Sequence, residues 1–143
     1  MPSIGIRPWI VYGPGRDNGL TASPTLAMAA AAMGEDYRIP FGGRTQLQFA
    51  PDAARVFIDS ARAATEGARV FHLGGPVVSI VETAREIEAA APGVTIGVDD
   101  QTILPFPEEF DGSALEAALG PISRTPLRDG VRQTVDRLRA VPV

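Results

Sequence analysis

Four polar side chains are the candidates to face a ligand pocket: Arg16, Arg44, Gln46 and Gln48. Guanidinium and carboxamide groups bind oxygen-rich partners, but none is a nucleophile or a proton shuttle. Their other reading is a solvated loop and strand face. His72 lies mid-strand between apolar neighbours and reads as a hydrogen-bonded core or edge histidine. Asp99-Asp100 and Glu108-Glu109 are adjacent rather than facing, so they mark loops, and Asp111 reads as a helix cap. No residue is assigned a catalytic role.

Composition narrows the chemistry further. The chain has 143 residues and no cysteine, which removes disulfides, thiolate metal sites and cysteine nucleophiles. One histidine argues against a histidine-based metal site, so no metal is expected. All 13 basic residues are arginine, the net charge is −4, and no basic patch for nucleic acid is visible. No apolar run could span a bilayer and no signal peptide is seen, so the expectation is a cytoplasmic protein with no membrane partner. The run Gly13-Pro14-Gly15-Arg16-Asp17-Asn18-Gly19 superficially matches a dinucleotide fingerprint. Its spacing is wrong, Pro14 removes an N–H, and the helix after it starts late, so it reads as a turn.

The elements that position these residues follow from local pattern. Ile4, Ile6, Ile10 and Val11 make an opening strand, which Pro8 ends because it has no N–H for a ladder. Leu20 to Gly34 reads as a helix, with Ser23 as N-cap, Pro24 at the first position and Gly34 as the stop. Tyr37–Phe41 and Thr45–Phe49 are strands that a Gly42-Gly43-Arg44 turn could join as a hairpin. Asp52 caps a helix to about Ala64, with Val56, Phe57, Ala61 and Ala64 on its inner face. Arg69–Leu73 is a strand. Ser79 to Glu82 forms a capping box for a helix that ends at Pro92-Gly93. Val94–Val98 is a further strand, and Ser113–Leu119 is a short helix. The last helix starts near Pro126 with a stripe of Leu127, Val131, Val135 and Leu138; Gly130 inside it marks a close contact. The pattern describes one α/β domain over residues 1–143.

The stretch Arg7-Pro8-Trp9-Ile10-Val11-Tyr12-Gly13-Pro14-Gly15 resembles the R-P-x-x-V-Y-G-P-G segment of the extended short-chain dehydrogenase/reductases, or NAD-dependent epimerases/dehydratases. Gln48–Arg55 is similar to that family's strand-to-helix signature, and Val70–Gly75 to its V-Y-N-V-G strand. Val77–Glu82 resembles the helix start that follows, and Pro121–Thr134 the closing helix. The resemblance covers essentially the whole chain and corresponds to the family's substrate-binding half. The Gly-rich nucleotide-binding half is not part of it.

The resemblance implies roles. Pro8 and Trp9 match positions beside the nicotinamide ring of NAD or NADP. Tyr12, Arg16, Ser23, Arg44, Gln46 and Gln48 fall on the substrate side. Ile10 stands where sugar-nucleotide enzymes often have asparagine, and Ser23 matches another such asparagine. Thr45, with Arg44 one step off, stands where they place a diphosphate-binding arginine. These departures imply a small hydroxy or keto substrate. The family's Tyr-x-x-x-Lys pair cannot form without lysine. The chain by itself is therefore expected to bind no coenzyme and to catalyse no hydride transfer. Three readings stay open: part of a full enzyme, a subunit that joins a separate nucleotide-binding half, or a non-catalytic binding or assembly module. In each, exposed apolar faces imply a homo-oligomer.

Overall fold

The computed structural model describes residues 2–140. In chain order its elements are β1 (Ser3–Arg7), β2 (Ile10–Tyr12), α1 (Ser23–Ala32, entered through a 3-10 turn at Leu20–Ala22), β3 (Tyr37–Ile39), β4 (Arg44–Phe49), α2 (Ala50–Arg62), β5 (Ala68–His72), β6 (Val77–Ser79), α3 (Ile80–Ala90), β7 (Ile96–Val98), α4 (Ser113–Leu119) and α5 (Leu127–Ala140).

The strands form three small sheets. β1 and β5 pair in parallel, with Ser3 opposite Ala68 and Arg7 opposite His72. β2 lies parallel to β4, which pairs antiparallel with β6. β3 and β7 are parallel. The break at Pro8 is where the chain changes sheet: before it the partner is β5, after it β4. The hairpin between β3 and β4 does not form, because their partners lie elsewhere. The segment after β7 occupies the edge a hairpin would need. Thr102 O accepts the Gly42 N–H, and a Cβ on Gly42 would lie 2.7 Å from Asp100 Cα.

Helix ends follow local chemistry, with two corrections. α1 stops at Gly34 in a left-handed turn (φ 78°), with Gly34 N–H donating to Ala31 O and Glu35 N–H to Ala30 O. α3 starts with Ser79 Oγ accepting the Glu82 N–H at 2.9 Å. Ser23 is not the cap of α1: it is the first helical residue, and its hydroxyl donates to Tyr37 Oη instead. Asp52 is not the cap of α2 either. That helix starts at Ala50, and the Asp52 carboxylate accepts from Thr125 N–H (2.6 Å) and Thr125 Oγ1 (3.0 Å), tying α2 to the entry of α5.

Two apolar clusters result. The larger contains Ile10, Tyr12, Met28, Phe41, Phe49, Ile87, Val131 and Val135, and α1, α3 and α5 enclose it. The smaller contains Ala53, Val56, Phe71, Leu73 and Leu115, between the β1/β5 sheet and helices α2 and α4. The inner face of α2 is therefore Ala53, Val56 and Ser60; Phe57, Ala61 and Ala64 are exposed, contrary to the sequence expectation. Val56 alone fits either stripe, and packing against Ile4, Ile6 and Phe71 selects the one a helical step away.

Candidate functional site

The parallel strands β1 and β5 end side by side at Arg7 and His72. Beyond them the chain diverges, at Pro8-Trp9 toward the second sheet and at Gly74-Gly75 toward β6. In α/β folds, the crevice outside the carboxyl ends of such strands is where ligands lie. Four rings meet there. Trp9 stands edge-on to Phe110 (centroids 4.6 Å apart) and to Phe106 (5.6 Å), and His72 stacks flat on Phe110 at 4.5 Å. The Trp9 Nε1–H donates to Thr45 Oγ1 at 3.1 Å.

Phe106 and Phe110 arrive on an irregular segment kept from helix by Pro105 and Pro107. Gln46 fastens that segment. Its Oε1 accepts the Phe110 N–H (3.1 Å), and its Nε2 donates to Phe110 O (3.1 Å) and Gly75 O (2.9 Å). Gln48 does the same for the other wall: Oε1 accepts the Trp9 N–H (2.8 Å) and Nε2 donates to Gly74 O (2.9 Å). Both glutamines are buried. A buried carboxamide must satisfy its own donors and acceptor, and here backbone does so. Gln46 and Gln48 position the walls; they do not present free groups to a ligand.

The remaining expected site residues separate. Pro8, Trp9 and Arg44 lie at the crevice and its flank. Arg44 is exposed and faces Glu108, 3.8 Å away. Between them and the core is a cavity of about 60 Å³ lined by Ile10, Phe41, Thr45, Leu104 and Phe106, among others. Tyr12 is not at the crevice. It is buried, with its hydroxyl packed so closely against Gly130 that a Cβ there would collide with it. Burial, then the charge of Asp52, pushes its phenol pKa well above the ordinary value, so it holds its proton. Ser23 is buried at Tyr37. Arg16 folds back on its own loop, donating to Asn18 O and to Thr21 Oγ1 (3.1 Å), and its guanidinium covers Gly19.

Three residues of the crevice were not assigned to a site from sequence: His72, Phe106 and Phe110. His72 was read as mid-strand, and only the parallel pairing of β1 and β5 shows that it stands at the strand's carboxyl end. The phenylalanines gave no signal, since an irregular segment does not announce what it covers. Among the described residues no group of three His, Asp or Glu side chains is placed to hold a metal ion, and no helix is long and apolar enough to cross a membrane.

No family model and no curated protein sequence matches the chain. Solved structures do. UDP-glucose 4-epimerase of Thermus thermophilus, in complex with NAD, superposes with a TM-score of 0.79 at 18% identity, covering 99% of this chain and 48% of the epimerase. The Bordetella bronchiseptica enzyme WbmF, in complex with NADH, gives 0.76 at 21% identity over 98% of this chain and 46% of its own. UDP-glucuronic acid 4-epimerase of Bacillus cereus, in complex with UDP-glucuronic acid and NAD, gives 0.75 at 17%, over 98% and 46%. The chain thus has the α/β fold of the extended short-chain dehydrogenase/reductases, the epimerase/dehydratase type. It spans a little under half the length of these neighbours.

Proposed function

We propose that this chain supplies the substrate-binding side of an NAD(P)-linked epimerase, dehydratase or oxidoreductase site. The observation that carries the reading is the Pro8-Trp9 break at the end of β1, beside His72 at the end of β5, in a fold shared with NAD-bound epimerases. The residues present suit the ring end of such a coenzyme and not its pyrophosphate. Trp9 offers an aromatic wall, whereas the Gly13–Gly19 turn lacks the fingerprint spacing and Arg16 covers its Gly19. The bound coenzyme would supply hydride exchange. This chain's part is to hold the substrate and exclude water with Trp9, Phe106 and Phe110.

The proton-relay pair must come from other sequence, because Tyr12 is buried with a raised pKa and no lysine exists to partner it. On this reading the substrate is a small hydroxy or keto compound: Arg44, beside Thr45 on the crevice flank, already faces Glu108. The open face of the β1/β5 sheet supports association, with a nucleotide-binding half or with a second copy. Trp9 is the only tryptophan, so its emission reports on this site alone. The chain by itself should neither oxidise alcohols with NAD(P) nor transfer Trp9 excitation to NADH. Fused behind the nucleotide-binding half of the Thermus thermophilus epimerase, it should show that transfer, abolished by Trp9→Phe. Unaided turnover, or a folded fusion without transfer, overturns the reading.

A further inference from the structure

We propose that the cavity beneath the Arg44–Glu108 pair is a subsite for a short uncharged alkyl group of the substrate, and that Thr45 donates a hydrogen bond to the adjoining carbonyl or hydroxyl oxygen. This rests on the reading above for its substrate class, but its own support is independent of any coenzyme.

The walls fix the chemistry. Ile10 and Phe41 are buried in its lining, joined by the half-buried Leu104 and by Phe106, which is 42% exposed. Such a lining favours alkyl over polar groups, at roughly 0.8 kcal/mol per buried CH₂. The volume fixes the size. At about 60 Å³ it is well under the ~150 Å³ that holds a benzene ring, so it takes a chain of a few carbons and not a six-membered ring.

Thr45 fixes the anchor. A hydroxyl has one proton to donate and two lone pairs to accept. The Trp9 Nε1–H takes a lone pair, and the Thr45 proton has no acceptor among the described residues. The side chain is buried except where it meets the cavity, so the acceptor for that proton must be a group inside the cavity, a water or the oxygen of a ligand that displaces it. Thr45 and Phe106 belong both to the cavity lining and to the surroundings of Trp9, which places an oxygen held by Thr45 at the inner edge of the crevice.

The rim fixes the charge. Arg44 is the cation in this lining, and Glu108, in the same lining, faces it at 3.8 Å with both side chains exposed. A diphosphate would have to displace Glu108, leaving that carboxylate beside a dianion.

The test uses the 143-residue chain without coenzyme and reads ligand protons by saturation-transfer NMR. 2-Butanone should bind saturably, and cyclohexanone and UDP should not. Thr45→Val, which keeps the shape, should weaken 2-butanone about tenfold, the scale of one neutral hydrogen bond. Thr45→Ser, which keeps the hydroxyl, should restore it, and this pair separates the hydrogen bond from any loss of fold. No binding of 2-butanone, equal binding by Thr45→Val, or a preference for cyclohexanone overturns the proposal. So does UDP binding that Arg44→Gln abolishes, which would assign the cavity to a diphosphate. A failure of the NADH fusion leaves these outcomes unmoved, so the two readings fall separately.

Discussion

The cluster around Tyr12 is enclosed by α1, α3 and α5 on one side and by β2 and β4 on the other, whereas the β1/β5 sheet is covered on one face only. On the enclosed side, shapes are matched to atomic contact: Gly130 exists where Tyr12 Oη leaves no room for a side chain. The open face of β1/β5 is formed by Ser3, Gly5, Ala68 and Val70, all exposed. The crevice lies where the two regimes meet. Its fixed parts (Thr45, Gln46 and Gln48) are on β4, which belongs to the enclosed side. Its outward parts (Arg7 and His72) end the open sheet. A rigid support and an accessible surface are what a binding site needs together.

The largest effect should come from filling the enclosed side. Gly130→Ala places a Cβ in collision with Tyr12 Oη and 3.3 Å from the Phe49 ring. Tyr12 cannot retreat, since Phe49 packs beside it at 5.5 Å. Overpacking of this kind costs on the order of 3 kcal/mol. Urea denaturation should show that loss, and Tyr12→Phe in the same background should recover part of it, because the phenol oxygen is the nearest atom. A loss below about 0.5 kcal/mol, the scale of an ordinary surface change, would mean the enclosed core gives as readily as the open sheet.

The matching change on the open side should hardly touch stability. Val70 is 59% exposed, and Val70→Glu should cost no more than about 1 kcal/mol, the span of strand propensity. Association is where it should show. The purified chain should self-associate in light scattering as concentration rises, through the unpaired edge and bare face of β1/β5. Val70→Glu should shift that dependence to higher concentration. A parent chain that stays monomeric, or a variant that associates equally, would remove the open sheet from the interface.

Much of this contrast could be read from residues in order, and some could not. Pro8 announced a ladder break because a missing N–H is a local fact. Gly34, Ser79 and Gly130 announced a stop, a cap and a close contact for the same reason. The partner of each strand was not local. Gly42-Gly43 fits a hairpin turn, and only the distant segment at Asp100 to Ile103 decides that β3 pairs with β7. The crevice shows the same division. Pro8 ends a strand by a local rule, so that Pro8 and Trp9 lie just past a strand end could be read from sequence. Gln46 and Gln48 looked like free polar groups because the backbone that consumes their amides, at Phe110 and Gly74, is distant in the chain. Tyr12 and Ser23 lay in matching motif positions, yet a motif does not record which side chain the neighbouring helix will cover.

The smallest effect concerns acid, and it separates the two regions by place. Asp111 precedes α4, and its carboxylate accepts the Ser113 N–H (2.9 Å) and the Ser113 hydroxyl (2.8 Å). These bonds, the backbone one first, hold its pKa below the ordinary 3.8. A carboxyl lowered in the folded state stabilises above its unfolded pKa and loses that contribution as pH falls through the folded value. Asp111 is not the N-cap expected from sequence, since Gly112 holds that position, but below pH 3.8 its bonds to Ser113 should weaken, and α4 should loosen before the molecule unfolds. Only Leu115 of α4 is fully buried, and it covers Phe71 and Leu73 of the smaller cluster. Amide exchange should therefore quicken first in α4 and β5, while Val131 and Val135 in α5 stay protected. Asp111→Asn keeps an acceptor for the Ser113 N–H but removes the charge, and should flatten the pH dependence in α4. If α4 and α5 lost protection together as pH fell, the enclosed and open regions would be one cooperative unit, and the junction between them would lose its meaning.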